Sequence, residues 1–255
     1  MSNIVTICKK ELNGYFRSPV AYGVMGFFAI ITGYFFYISV AFFVDRSLQA
    51  AQFGQSAPMN VDEWVVRNVL SNVGVIGLFL IPMMTMRSFA EEKRTGTIEL
   101  LVTSPLRDSE IIIGKWLGSL AFYGTLLLLT AVNMITLYFY GTPDWRPMLV
   151  GYLGLLLQGG ALIAVGTFIS STTKNQIVAA VSTFCVCLLL WVLDWVSQFG
   201  ASAASKVIGY LSVVSHMESF AKGVIDLKDV VYYISMIVVG LFLTARSMDS
   251  MRWRA

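Results

Sequence analysis

Six long apolar runs, none holding a charged residue, fill most of this chain: 18–44, 68–86, 116–143, 147–173, 175–193 and 230–245. A helix needs about 20 apolar residues to cross the hydrocarbon core of a bilayer. The first five runs hold 19 to 28 residues each and the sixth holds 16. Asp229 and Arg246 flank the sixth, where they can snorkel to the surface while the bilayer thins slightly. The pattern predicts an all-α polytopic membrane protein with six transmembrane helices and no large soluble domain. The first run is longer than the apolar stretch of a signal peptide and lacks a small-residue cleavage site, so it is expected to remain as the first span.

The polar stretches between the runs set the organisation. Residues 1–17 place Ile4, Ile7, Cys8, Leu12, Tyr15 and Phe16 near helical spacing, with Lys9, Lys10 and Asn13 opposite. This predicts an N-terminal amphipathic interfacial helix, turned into the first span by Gly14 and Ser18-Pro19. Residues 45–67 predict an outside loop with a low-complexity middle, and 141–146 a tight outside turn built on Pro143 and Asp144. Residues 170–176 form a short inside turn. The segment 197–229 is only mildly polar; its apolar stretches, 207–214 and 220–225, are too short to span. It predicts short re-entrant or capping helices between spans 5 and 6, closing the outer end of the bundle. The domain plan is therefore an interfacial helix (1–17), one six-helix membrane domain (18–246) and a cytoplasmic tail (247–255). Gly114 and Gly118 form a GxxxG, and Gly160 with Ala164 a second small-residue pair, both suited to close helix approach.

One segment departs from the apolar pattern. Residues 87–115 carry five basic residues (Arg87, Lys93, Arg94, Arg107, Lys115) and five acids (Glu91, Glu92, Glu99, Asp108, Glu110). A segment meant to sit on anionic lipid is net basic, whereas this one is neutral and mixed in sign, which suits a protein groove rather than lipid or nucleic acid. Ser88 and Glu91 form a capping box that can start a helical turn. Gly96 breaks it, 97–102 forms a second short helix ended by Ser104-Pro105, and Asp108 N-caps a helix running into the third span. The prediction is a cytoplasmic helical elbow between spans 2 and 3, its apolar residues Ile98, Leu100 and Leu101 serving as a docking core.

Charge gives the orientation. With six spans both termini share one side, and that side holds twelve Lys and Arg against six on the other. The bias puts both termini and the elbow in the cytoplasm. The chain is 56% apolar and 13% charged, about half the charge of an ordinary soluble domain.

Chemistry is sparse. There is no GxxxxGK[ST] phosphate loop, no HExxH, no Cys/His cluster and a single histidine. Cys185 and Cys187 are two residues apart, so a helix points them to different faces. Nothing supports an active site, and no cofactor or metal is expected in this chain. Asp194 is the one acid inside a predicted span, between Trp191 and Trp195. It reads as a partly hydrated acid in the aromatic belt, with a proton or substrate site as the alternative. His216 reads as a hydrogen-bonded structural histidine of the outer cap, with a pH-sensitive or substrate contact as the alternative.

Three stretches then carry a family resemblance. EEKRTGTIELLVTSPLRDSEIIIGKWLG, from Glu91, resembles the cytoplasmic segment of ABC-2 type transporter permeases. KKELNGYFRSPVAYG, from Lys9, resembles the elbow helix entering their first span. SHMESFAKGVIDLKDVVYY, from Ser215, is similar to the outer cap and sixth span of the gliding-motility and copper-enzyme-maturation branch. The resemblance implies a permease half, paired with an identical second copy, each half docking a separate ATPase subunit that binds ATP and Mg. It implies that the elbow is the coupling segment, with Glu91, Glu92, Lys93, Arg94, Gly96, Thr97 and Glu99 belonging to it. It implies an exporter-type complex in a bacterial inner membrane, in contact with lipid and with room for an outside accessory protein. Two other classes stand beside it. An ATPase-driven scaffold that acts on outside proteins would need no path between the two halves. An ion-coupled carrier would need a mid-membrane ionisable residue or a broken helix, and the sequence displays neither.

Overall fold

A computed structural model describes residues 2–52, 60–98, 106–140, 143–198, 207 and 209–252. Among these the chain is helical, with no β-strand. In order come α1 (Ser2–Arg17), α2 (Pro19–Gln52), a π-helical turn (Asp62–Val66) leading directly into α3 (Arg67–Thr85), α4 (Ala90–Thr95), α5 (Asp108–Tyr140), α6 (Trp145–Thr172), α7 (Gln176–Gln198), α8 (Val213–Ala221) and α9 (Leu227–Arg252). Six of these, α2, α3 with its flanking turns, α5, α6, α7 and α9, are long and apolar enough to cross a membrane. The chain is thus a multi-pass membrane protein of the expected fold class.

The helices outrun the charge-free runs. At 33 residues α5 is about 50 Å long, against a hydrocarbon core of about 30 Å. Likewise α2 continues through Asp45 and Arg46 to Gln52, and helical structure resumes at Asp62. The expected 45–67 loop therefore shrinks, because Leu48, Gln49, Ala50 and Ala51 are good helix formers; residues 53–59 lie outside the described residues.

Helix α6 is the centre of the bundle and packs against α3, α5, α7, α8 and α9. The Asp144 carboxylate accepts from the Arg146 amide at 3.1 Å and starts this helix, so the residue expected as a turn former also serves as an N-cap. Asp62 in turn accepts the Asp144 amide at 3.1 Å, which ties the start of α3 to the start of α6. Against α9 the two backbones meet closely: a Cβ on Gly240 would stand 2.9 Å from the Cβ of Ala164. Tyr123, Phe122, Leu126, Ile81, Leu70, Phe28, Leu155 and Leu162 fill the core between α2, α3, α5 and α6. The polar span residues Thr85 and Gln158 are buried inside the subunit rather than lining a path.

The two ends of the bundle are finished differently. At the end where α6 terminates, α1 lies beside the first turns of α5, and α4 packs on α6 and α7. At the other end α8 packs on α3, α6, α7 and α9, with Val213, Met217 and Phe220 buried. The expected turn at Gly14 does not form; α1 runs through it to Arg17, and the chain redirects at Ser18-Pro19.

Candidate functional site

The elbow begins where α3 ends. Pro82 lies inside the last turn of α3, and residues 86–89 turn the chain into α4. The Ser88–Glu91 capping box does not form. Phe89 is the residue preceding α4, no side chain within the segment caps it, and Ser88 Oγ has no hydrogen-bond partner among the described residues. The cap comes instead from α6: Ser170 Oγ accepts the amides of both Phe89 and Ala90 at 3.1 Å. A tertiary contact has taken the job that local sequence offered to Ser88, because Ser170 reaches two orphan donors at once.

Gly96 ends α4 as predicted, with φ of 74° in the left-handed region. Residues 99–105 lie outside the described set, so Glu99, Leu100, Leu101 and the expected 97–102 helix are not placed. Ile98 is placed, and it turns inward onto Phe89, Ile111, Ile112 and Met248 rather than outward as a docking residue. The cap of α5 also differs by one residue from expectation. Asp108 is already helical, and the Arg107 amide donates back to Glu110 Oε2 at 3.1 Å.

Lys115 is the residue around which the elbow is assembled. Counted from sequence among the charges of the docking segment, it is 3% exposed. Its ammonium donates to Glu92 Oε1 of α4 at 2.8 Å, to Glu11 Oε1 of α1 at 2.9 Å and to the Ser88 carbonyl at 2.8 Å. It also lies over the Phe89 ring, 5.2 Å from its centre. All three ammonium protons are used, which is the condition for a buried charge to be tolerated. The sequence did hold a signal for this: Lys115 is a lone charge between Ile111–Gly114 and Trp116–Gly118 on a membrane helix, where an ionisable residue normally has a partner.

Helix α1 reaches Lys115 because the GxxxG of α5 lets it come close. A Cβ on Gly114 would stand 2.8 Å from Ile7, and one on Gly118 would stand 2.6 Å from the Glu11 Cβ. The motif serves the N-terminal helix rather than a contact between spans. Tyr15 stacks on Phe122 with ring centres 4.6 Å apart, and its hydroxyl donates to the Met84 carbonyl at 2.9 Å. Burial pushes that hydroxyl up to about 12, so it stays protonated and satisfies a free carbonyl at the end of α3.

The remaining elbow residues divide into an inner and an outer set. Lys93 donates to the Ser171 carbonyl at the end of α6, and Ser247 of α9 donates to that same carbonyl at 3.1 Å. Glu92 and Lys93 thus face the bundle, while Arg94, Thr95, Gly96 and Thr97 form an exposed tip. Glu91 is half-buried and lines a cavity of about 400 Å³ between α1, α2, α3, α4 and α5. The elbow is therefore tied to α1, α5, α6 and α9, with one short face left outward.

The other candidate residues lie elsewhere. His216 is buried in the opposite cap, with Nδ1 2.6 Å from Asp229 Oδ1, Nε2 2.9 Å from the Tyr210 carbonyl and the ring stacked on Tyr232. Asp229 is 1% exposed, so it closes the cap and does not snorkel at a span end. Glu218, next to His216 in sequence, points instead to Arg67 at 2.6 Å and Lys222 at 2.8 Å. Asp194 is half-buried near the end of α7, beside the Trp191–Trp195 pair whose ring centres are 4.9 Å apart. Neither Asp194 nor His216 joins the elbow. No group of three or more metal-ligating side chains occurs among the described residues.

A six-span helical bundle with an amphipathic helix ahead of the first span and a buttressed elbow between the second and third defines a multi-pass membrane protein. The chain belongs to the ABC-2 family of transporter proteins, whose pattern it matches over residues 53–245. It is also 29% identical over 130 residues to the probable multidrug ABC transporter permease YbhR of Escherichia coli strain K12, and equally to that of Escherichia coli O157:H7. The match takes in 49% of this chain and 33% of each relative, so it spans about a third of the length of those curated relatives. Neither match assigns a branch within the family. The family makes the protein an ABC transporter permease.

Proposed function

We propose that this permease is worked by a separate ATPase subunit that docks at the tip of α4, and that the elbow carries the ATPase stroke into the membrane helices. The Lys115 hub is the observation that carries this reading. A lever needs a rigid link, and a fully bonded buried charge joining α1, α4 and α5 is one. The permease itself binds no nucleotide; ATP and Mg belong to the partner, with two ATPases serving two identical permease copies. The Lys and Arg bias supports a cytoplasmic position for the elbow and both termini, and the bacterial relatives support a bacterial inner membrane as the site of the spans. The apolar spans, and the likeness to probable multidrug permeases, favour export of apolar or amphipathic cargo.

The test is co-reconstitution with the ATPase encoded beside this chain. Arg94→Glu at the exposed tip should weaken association. Lys115→Met should leave association in place but abolish the stimulation of ATP hydrolysis by the permease. Unchanged binding in Arg94→Glu together with unchanged stimulation in Lys115→Met would overturn the coupling role.

A further inference from the structure

The cavity beneath the elbow is built for a ligand of a particular kind. It holds about 400 Å³, well beyond a water or two, and its lining has two characters. Val20, Val24, Met83 and Phe122 form an apolar end at the start of α2. Lys10, Arg87, Ser88, Glu91 and Glu92 form a polar end at the elbow.

The polar end is incompletely bonded from within. Ser88 is 5% exposed, and its hydroxyl has no partner among the described residues. Glu92 gives Oε1 to Lys115 and leaves Oε2 buried without a donor. Buried polar atoms are normally satisfied, so unpartnered ones at a cavity wall point to what fills it. The charges left over are also complementary to one kind of group. Glu91 and Glu92 Oε2 call for a donor cation, while Lys10 and Arg87 are exposed, make no ion pair among the described residues and call for an anion.

We propose that this cavity binds a phospholipid whose headgroup carries a phosphate and a primary ammonium. The ammonium donates to Glu92 Oε2 and Glu91, the phosphate meets Lys10 and Arg87, and one acyl chain lies along Val20, Val24 and Met83. A trimethylated headgroup cannot donate those hydrogen bonds, and a purely anionic one leaves the glutamates facing negative charge. The lipid braces α1 against α4, so lipid composition tunes the rigidity of the elbow. The proposal stands whether or not an ATPase docks at α4.

Native mass spectrometry of the delipidated full-length protein tests it. The probes are phosphatidylethanolamine, phosphatidylcholine and phosphatidylglycerol with identical acyl chains. One ethanolamine lipid should bind about tenfold more tightly than either of the others, the effect of one charge-assisted hydrogen bond. Val24→Trp, which fills the apolar end, should abolish that preference. Glu91→Gln, which keeps the packing, should reduce it about threefold to tenfold, and it serves as the test should Val24→Trp fail to fold. Equal binding of the three lipids, a preference for phosphatidylglycerol, or an ethanolamine preference that survives both substitutions would each overturn the proposal.

Discussion

Glu92 Oε1 stands 2.8 Å from the Nζ of Lys115, and that contact joins the helix after the second span to the first turns of the third. Glu11 completes the arrangement from the N-terminal helix at 2.9 Å. Two acids therefore share one buried cation, and substitutions of the cation and of one acid are not equivalent.

Lys115→Met should be the costly one. It leaves Glu11 and Glu92 facing each other without a counterion, and removal of one member of a buried pair costs about 3–5 kcal/mol. Glu92→Gln should cost less, since Lys115 keeps Glu11 and the Ser88 carbonyl. Denaturation in detergent of the two single variants and the double variant gives both values and the coupling between them. Equal losses for the two would show that Lys115 is solvated and not a hub.

The cap of α4 offers a sharper contrast. Ser170→Ala removes the acceptor for two buried amides, a loss of about 1–3 kcal/mol felt mainly at the elbow. Ser88→Ala removes a hydroxyl that has no partner among the described residues and should be close to neutral in detergent. Amide exchange at Phe89 and Ala90 reads the difference directly. Faster exchange in Ser88→Ala than in Ser170→Ala would restore the local capping box.

That reversal shows where the sequence was legible and where it was not. The six spans could be read because a helix in lipid must bond its own backbone and present about 20 apolar residues, a one-dimensional requirement. Gly96 could be read because a left-handed break acts within a few residues, whereas Asp144 was legible only as a turn former and not as the cap of α6. Lys115 and Ser170 could not, since their partners lie 104 and 81 residues away for Glu11 and Phe89. Nor could the buried faces of α2 and α6 be read. Both helices are apolar all round, so periodicity carries no direction, and only packing shows that Tyr37 is exposed while Phe28 is enclosed.

The GxxxG of α5 should prove specific to the N-terminal helix. Gly118→Leu drives a side chain into the Glu11 Cβ, which stands 2.6 Å from where a Cβ would begin. The expected result is α1 lifted from α5, seen as rapid exchange of its amides, with the six spans still protected. Loss of protection in α6 or α9 as well would mean that the motif organises the bundle as a whole.

At the far cap, Glu218 gives a pH dependence with a defined sign. Its carboxyl is held below the ordinary value of 4.5, first by the hydrogen bond from Lys222 and then by the charges of Lys222 and Arg67. A depressed carboxyl contributes stability above its unfolded value and loses it as pH falls through the folded one. The stability gap between the native chain and Glu218→Gln should therefore be present at neutral pH and close below about 4.5. The gap is small because Glu218 is 54% exposed and solvent screens the pair. A gap that widens on acidification would refute the assignment.

The buried pair in the same cap should matter far more. Asp229 and His216 are 1% and 4% exposed, and each is the other's ring or carboxylate partner at 2.6 Å. Asp229→Ala leaves His216 Nδ1 without a partner among the rings of Tyr210, Tyr232 and Tyr233, with the Tyr210 carbonyl at Nε2 as its remaining bond. The expected loss is about 1–3 kcal/mol, concentrated in α8 and the start of α9. Because α8 packs on α3, α6 and α7, the destabilised cap should also expose the Phe220 contact against Gly154. Exchange of α8 amides and unfolding in detergent would read both effects. An Asp229→Ala variant as stable as the native chain would mean that stacking on Tyr232, and not the contact with Asp229, holds His216 in place.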